Sequence, residues 1–298
     1  MRLEWPTLGL IVVCYGAWLA AGFWLWPVAS VLALAVMAVT AALHSSLVHE
    51  CLHGHPTRSR RINEALVSVP LSLAYPFRRY KATHLQHHHD DRLTDPFDDP
   101  ESYYRARWQY DRFPAWLKTL LRWNNTLLGR VVLGPWLVAG AFFVSEAALI
   151  RSDARGVRLA WALHLPAALL VLALVWVMGI PLWLYVVAVC WPGLSLIAIR
   201  TFAEHRWHET PEGRTIIVER SPLAWLFLYN NLHIVHHRLP SAPWYRLPHL
   251  YRDRREEWQA MNGGYVFPNY LALWRRWGLR VKEPVVHPVL RRDAGPAA

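Results

Sequence analysis

Residues 5–55 read WPTLGLIVVCYGAWLAAGFWLWPVASVLALAVMAVTAALHSSLVHECLHGH, and this stretch decides the fold class. Its first 39 residues, Trp5–Leu43, contain no Asp, Glu, Lys, Arg or His. A single membrane span needs about 20 apolar residues, so the run is long enough for two. Pro27 divides it near the middle. A second run, Leu159–Ile199, has 41 residues with His164 its only Asp, Glu, Lys, Arg or His, and Gly179-Ile180-Pro181 divides it. Lipid offers backbone groups no partner, so both runs are read as helices. The expected architecture is an all-α integral membrane protein with two transmembrane helical hairpins. Its spans fall at about 8–25, 28–50, 159–178 and 182–201. A buried hairpin in a soluble protein would not need two uncharged runs of this length. A cleaved signal peptide does not fit either, because the apolar run continues well past an h-region.

Composition agrees. Hydrophobic residues make up 54% of the 298 and charged residues 18%, which excludes a disordered chain. Three Cys exclude a disulfide scaffold. The net charge of +11 would suit nucleic acid, but 54% apolar residues with 18 Trp favour a membrane. No Lys or Arg lies on either hairpin tip, so by the positive-inside rule the tips point outward. Both termini and the long segments 51–130 and 202–298 are then cytoplasmic and form a cap, on a bacterial inner membrane. Val131–Ile150 carries one charge, Glu146, and would invert everything after it if it crossed. It is therefore expected to be interfacial or re-entrant. Leu66–Phe77 is too short to cross and is interrupted by Pro70 and Pro76. Pro222–Tyr229 is expected as an interfacial patch, and the tail from Arg280 as loosely ordered.

The chain has 16 His, of which 13 fall in HSSLVHECLHGH (44–55), HLQHHHD (84–90), EHRWH (204–208) and HIVHH (233–237). Residues three and four apart share a helix face. His49 and His53 are four apart, while His84, His87, His88 and His233, His236, His237 each repeat the i, i+3, i+4 spacing. Each box can aim two or three imidazoles at one point, and imidazole suits Fe, Cu, Ni and Zn. His205 or His208 could complete the site, His205 being favoured by its position after Glu204. His44 lies around the helix from His49 and opposite His53; His55 follows Gly54, past the helix end; His89 points off its box's face. These three are read as structural or outer residues. His164 reads as a helix-packing histidine, and His249 and His287 as surface residues.

Nine imidazoles are too many for one tetrahedral ion, which takes about four ligands, and suit two. No bridging Glu pair of the soluble four-helix type accompanies them. HECLH at 49–53 also matches HExxH, the zinc-protease pattern with Glu50 as base. That reading leaves six boxed histidines unexplained. A metal transporter would place its ligands near the bilayer midplane, whereas these boxes lie outside the spans.

HECLH, HLQHH and HIVHH, in the order hairpin–box–box–hairpin–box, resemble the membrane fatty acid desaturase/hydroxylase superfamily over about residues 8–250. HECLHGHPT, LTDPFDDPES (93–102) and YNNLHIVHHRLPSAPWYRLP (229–248) look like its bacterial fatty acid desaturase members. The resemblance implies a stem of four or more helices and a cytoplasmic cap holding two irons. It implies ligands at His49, His53, His84, His87, His88, His205, His233, His236 and His237, with His208 the alternative to His205. It also implies O2 as co-substrate and a lipid or fatty acyl substrate that is desaturated. Hydroxylation, ketolation or decarboxylation of a lipid or terpenoid are the alternatives. No fused cytochrome b5 or iron–sulfur motif is present, so electrons are expected from a separate ferredoxin, rubredoxin or cytochrome. Ligating His usually donates its second N–H to a carboxylate or carbonyl. Glu50, Asp90, Asp91, Glu204 and Asn231 are the expected outer partners, and the remaining acids of 95–101 are read as helix caps and solvated loop.

Overall fold

In a computed structural model, which describes residues 3–152, 154 and 156–289 and of Asp90 the backbone alone, both apolar runs fold as helical hairpins. The first pairs Trp5–Leu25 with Ser30–Leu52, and the second pairs Val157–Val177 with Leu182–Glu204. The second tip shows why the chain turns there. Gly179, at φ +75°, stands in the left-handed region that glycine tolerates. Its N–H donates to Trp176 O, and Ile180 N–H donates to Val175 O, at 2.9 and 3.1 Å. This Schellman cap satisfies the last carbonyls before Pro181 opens the next helix. Between the hairpins, Cys14, Trp18, Met37, Ala41, Tyr185 and Val189 pack into one buried core.

The polar side chains stranded in these runs have a common purpose. Residues 67–76 are not helical, yet Leu71 is fully buried among the stem helices. Non-helical backbone at membrane depth is tolerated only where protein satisfies it. Here the Tyr15 hydroxyl donates to Val69 O at 3.0 Å, the Tyr185 hydroxyl to Leu71 O at 2.6 Å, and His164 Nε2 to Leu73 O at 3.0 Å. Leaving one such carbonyl orphaned costs about 1–3 kcal/mol. His164 is thus a packing histidine, as its position in the run suggested. The segment too short to cross instead dips into the stem and returns as the helix Phe77–His87, which carries the second box.

A fifth helix, Leu127–Arg151, has the length and composition to cross a membrane, making five such helices among the described residues. It is longer than the 131–150 segment expected, and runs unbroken through Pro135. Near one end, Leu127 packs with Phe202 and Ala203 at the foot of the second hairpin. Near the other, Glu146 accepts from Arg79 Nε at 2.9 and 3.0 Å and from Trp161 Nε1 at 2.9 Å.

Outside the stem the described residues form short helices and one parallel strand pair, Ile217–Val218 with Val266–Phe267. That pair matters for placement. Ile216 N–H donates to Glu204 O at 3.0 Å, while Val218 N–H donates to Asn231 O at 2.8 Å. His233 N–H donates back to Ile216 O at 3.1 Å. The strand therefore fixes the third box against the end of the helix that leads to His205.

Candidate metal centre

The helix Ser30–Leu52 carries His49 in its last turn and is capped by His53. Phe77–His87 ends on His84 and His87 and is capped by His88. The third box is itself a short helix, His233–Arg238. Three helix ends therefore converge, and the nine boxed or favoured histidines sort into two groups. One comprises His49, His53, His84, His88 and His236; the other comprises His87, His205, His233 and His237. In each group, one nitrogen per ring lies within 4.8 Å of all the others. The groups adjoin, since His88 and His237 stack with centroids 4.3 Å apart. His205 rather than His208 joins them; the His208 ring contacts Thr210 instead. His44 bonds Tyr15, and His249 is exposed beside Asp253.

The close contacts are between Nε2 atoms. His205 Nε2 lies 2.9 Å from both His87 Nε2 and His233 Nε2, and His233 Nε2 lies 3.1 Å from His237 Nε2. In the first group, His88 Nε2 lies 3.0 Å from His84 Nε2 and 3.1 Å from His236 Nε2. Two nitrogens each about 2.1 Å from one ion, and at right angles, are about 3.0 Å apart.

The outer nitrogens fix which form these rings take. His84 Nδ1 donates to Glu101 at 2.9 Å, His87 Nδ1 to Asp99 at 2.8 Å, and His233 Nδ1 to Asn230 Oδ1 at 2.9 Å. In their neutral form, the one that binds metal, their Nε2 atoms carry lone pairs that face inward. His205 Nε2 has one proton at most, yet sits between two such lone pairs. A cation satisfies this arrangement, and protons alone do not. The residues present fit two metal ions held by imidazole.

Electrostatics point the same way. Burial holds His53 down to about 2 and lowers His84, His88, His205, His233 and His236, keeping these rings in the neutral, ligating form. His87 is the exception. Burial opposes its charge, but the Glu101 and Asp99 carboxylates outweigh that and lift it to about 9. Burial also opposes charge on Glu101, yet His84 and His87 hold it at about 2. The two carboxylates thus favour positive charge at this spot, whether proton or metal.

Several expected outer partners stand elsewhere. Glu50 turns away from the rings: its Oε1 accepts from Trp244 N–H at 3.0 Å and lies 4.0 Å from His55 Nε2. His55 Nδ1 in turn donates to Glu4, so this group pins the start of the first helix. Asp91 is exposed, and its carbonyl accepts from Arg214. The Asp90 side chain lies outside the described residues. Glu204 forms a buried ion pair with Arg200 at 2.7 Å, and its Oε1 lies 3.5 Å from His233 Nδ1. Asn231 ties the strand, donating to Val218 O at 2.7 Å. Its neighbour Asn230 orients the ring, and also sets Nδ2 3.4 Å from His49 Nε2. Asp99 and Glu101, read from sequence as loop, are the carboxylates that hold two rings. His287 is buried against Tyr104, not a surface residue.

A family model described as Fatty acid desaturase matches residues 21–269. The chain belongs to the fatty acid desaturase family. That match spans all three boxes and His205, so the family assignment covers both histidine groups. No curated protein is similar enough to match. As a family member the chain is a desaturase-like oxidoreductase, and its apolar helices and histidine clusters fit membrane association and a lipid substrate.

Proposed function

We propose that the chain is an O2-dependent fatty acyl desaturase in which the two histidine groups hold two irons. The observation that carries this reading is the pairing of nine buried or half-buried imidazoles into two adjoining groups, each with one nitrogen per ring gathered at one point. When bound, two irons supply removal of two hydrogens from an unactivated C–C unit, with O2, two electrons and two protons ending as water. The protein's own part is geometric. Asp99, Glu101 and Asn230 orient three rings from outside. The three helix ends bring the groups together, and burial excludes water that would intercept a reactive site.

The proposed topology places termini, cap and histidines on the cytoplasmic face. Val157 must lie on the same side as His205, because one tight turn joins their helices. Arg151 precedes Val157 by only six positions, and Leu127 packs beside Phe202. Both ends of Leu127–Arg151 therefore share that side, and the helix lies along the interface instead of crossing. Four spans result. Electrons come from a separate ferredoxin, rubredoxin or cytochrome-type protein.

Expression in a host followed by mass spectrometry of its lipids tests the reaction. An acyl chain lighter by two hydrogens is the expected product. One heavier by an oxygen would replace desaturation by hydroxylation.

A further inference from the structure

All nine histidines sit on a helix or cap its end. His205 alone stands in extended backbone, at φ −126° and ψ 145°, just after Glu204. Its Nδ1 is buried with no side-chain partner among the described residues, and its ring has a backbone hydrogen-bonding neighbour in Arg214. The ring that closes the second group thus lacks the outer grip that Asp99, Glu101 and Asn230 give to others. Something else must hold it.

The C-terminal segment supplies that hold. The Lys282 ammonium donates to His205 O and, at 2.8 Å, to Phe202 O. The last carbonyls of a helix have no partner within it, and a cation there also complements the helix dipole. Lys282 is itself fastened. Its N–H donates to Asn125 O at 2.8 Å, and Asn125 Nδ2 donates to Glu283 O at 3.1 Å. Glu283 Oε1 accepts from Trp207 N–H at 3.1 Å. Further on, Arg105 N–H donates to Val285 O and His287 N–H to Arg105 O, at 2.8 and 3.1 Å. Residues 282–287 therefore form a strap from His205 to the segment that follows Asp99 and Glu101. Of the tail from Arg280, expected to be loose, residues 282–287 are held by these bonds, and residues 290–298 lie outside the described residues.

We propose that Lys282 is a positioning residue for His205, fixing its carbonyl so that Nε2 meets His87 and His233 and completes the second metal group. The proposal rests on the reading of the two groups as a metal centre. It predicts an asymmetric defect: loss of Lys282 weakens the His87–His205–His233–His237 group and spares the other.

Lys282→Met keeps the side-chain stem and removes the charge and donors. Detergent-purified wild type and variant are titrated anaerobically with iron(II), counting ions retained per chain. Wild type should retain about two and Lys282→Met about one, with affinity for the second ion down roughly 10–100-fold, as for outer partners of metal ligands. Lys282→Arg, which keeps charge and donors, should recover most of it. Equal retention of two ions by wild type and Lys282→Met would overturn the proposal. A wild type that retains fewer than two would instead overturn the metal-centre reading. If Lys282→Met does not elute as folded protein, Lys282→Gln carries the same test.

Discussion

The two histidine groups reach similar geometry by different routes. In the first, every ring comes from a box, and each box is a helix end whose spacing places its rings. In the second, three box rings are joined by His205, which caps a helix but stands in extended backbone. Its position depends on the strand at 216–218 and on the strap at 282–287, both set by contacts distant in sequence. A site that is local in one half and tertiary in the other should respond unequally to perturbation.

The largest effect is expected where the groups meet. His88 lies within 3.1 Å of two partners in its own group and stacks on His237 of the other. His88→Ala should abolish product in the lipid assay. His249→Ala, exposed and far from both groups, should leave product unchanged. Equal loss in both variants would break the assignment of the groups.

Next is the outer grip. Asp99→Asn removes the charge facing His87 Nδ1 and should cost about 10–100-fold in metal affinity. The loss should fall on the second group. Iron titration that shows equal weakening of both ions would contradict the division.

A smaller effect is expected at Glu50. It faces Trp244 and His55, not the rings, so Glu50→Gln should change product formation little. The HExxH reading makes Glu50 the catalytic base and expects activity to vanish.

The smallest effect concerns the metal-free protein. Six rings of the two groups that lie outside the spans are lowered in the folded state, His53 to about 2. An unfolded chain takes up protons on them below about 6.5, where the folded chain does not. They contribute stability above that pH, lost progressively as pH falls from about 6.5 toward 2. His87, lifted to about 9, works oppositely: its contribution is full below about 6.5 and is lost as pH rises through 9. Six against one, acidification should destabilise the metal-free protein, as urea midpoints measured from pH 7 to 5 would show. A midpoint that rises on acidification would contradict it.

These contrasts explain what was legible in the sequence. The hairpins were readable because apolar length and a Gly-Ile-Pro break are local signals. Eight histidines were readable because helical spacing aims them together. His205 stands beside Glu204 but competes with His208 in sequence, and contacts distant in the chain, to His87, His233, Thr215 and Lys282, separate them. Asp99 lies 12 residues past His87 and Glu101 lies 17 past His84, the rings they hold, across a turn-rich loop with no period to read. Their partners come from that loop folding back. The interfacial reading of Leu127–Arg151 depends on which side its ends face, which hydropathy does not encode.

The most direct test of the central claim is metal analysis of the detergent-purified chain. About two irons per chain, with loss of at least the first group's ion on His88→Ala, is the result expected. One zinc per chain and no iron would contradict it.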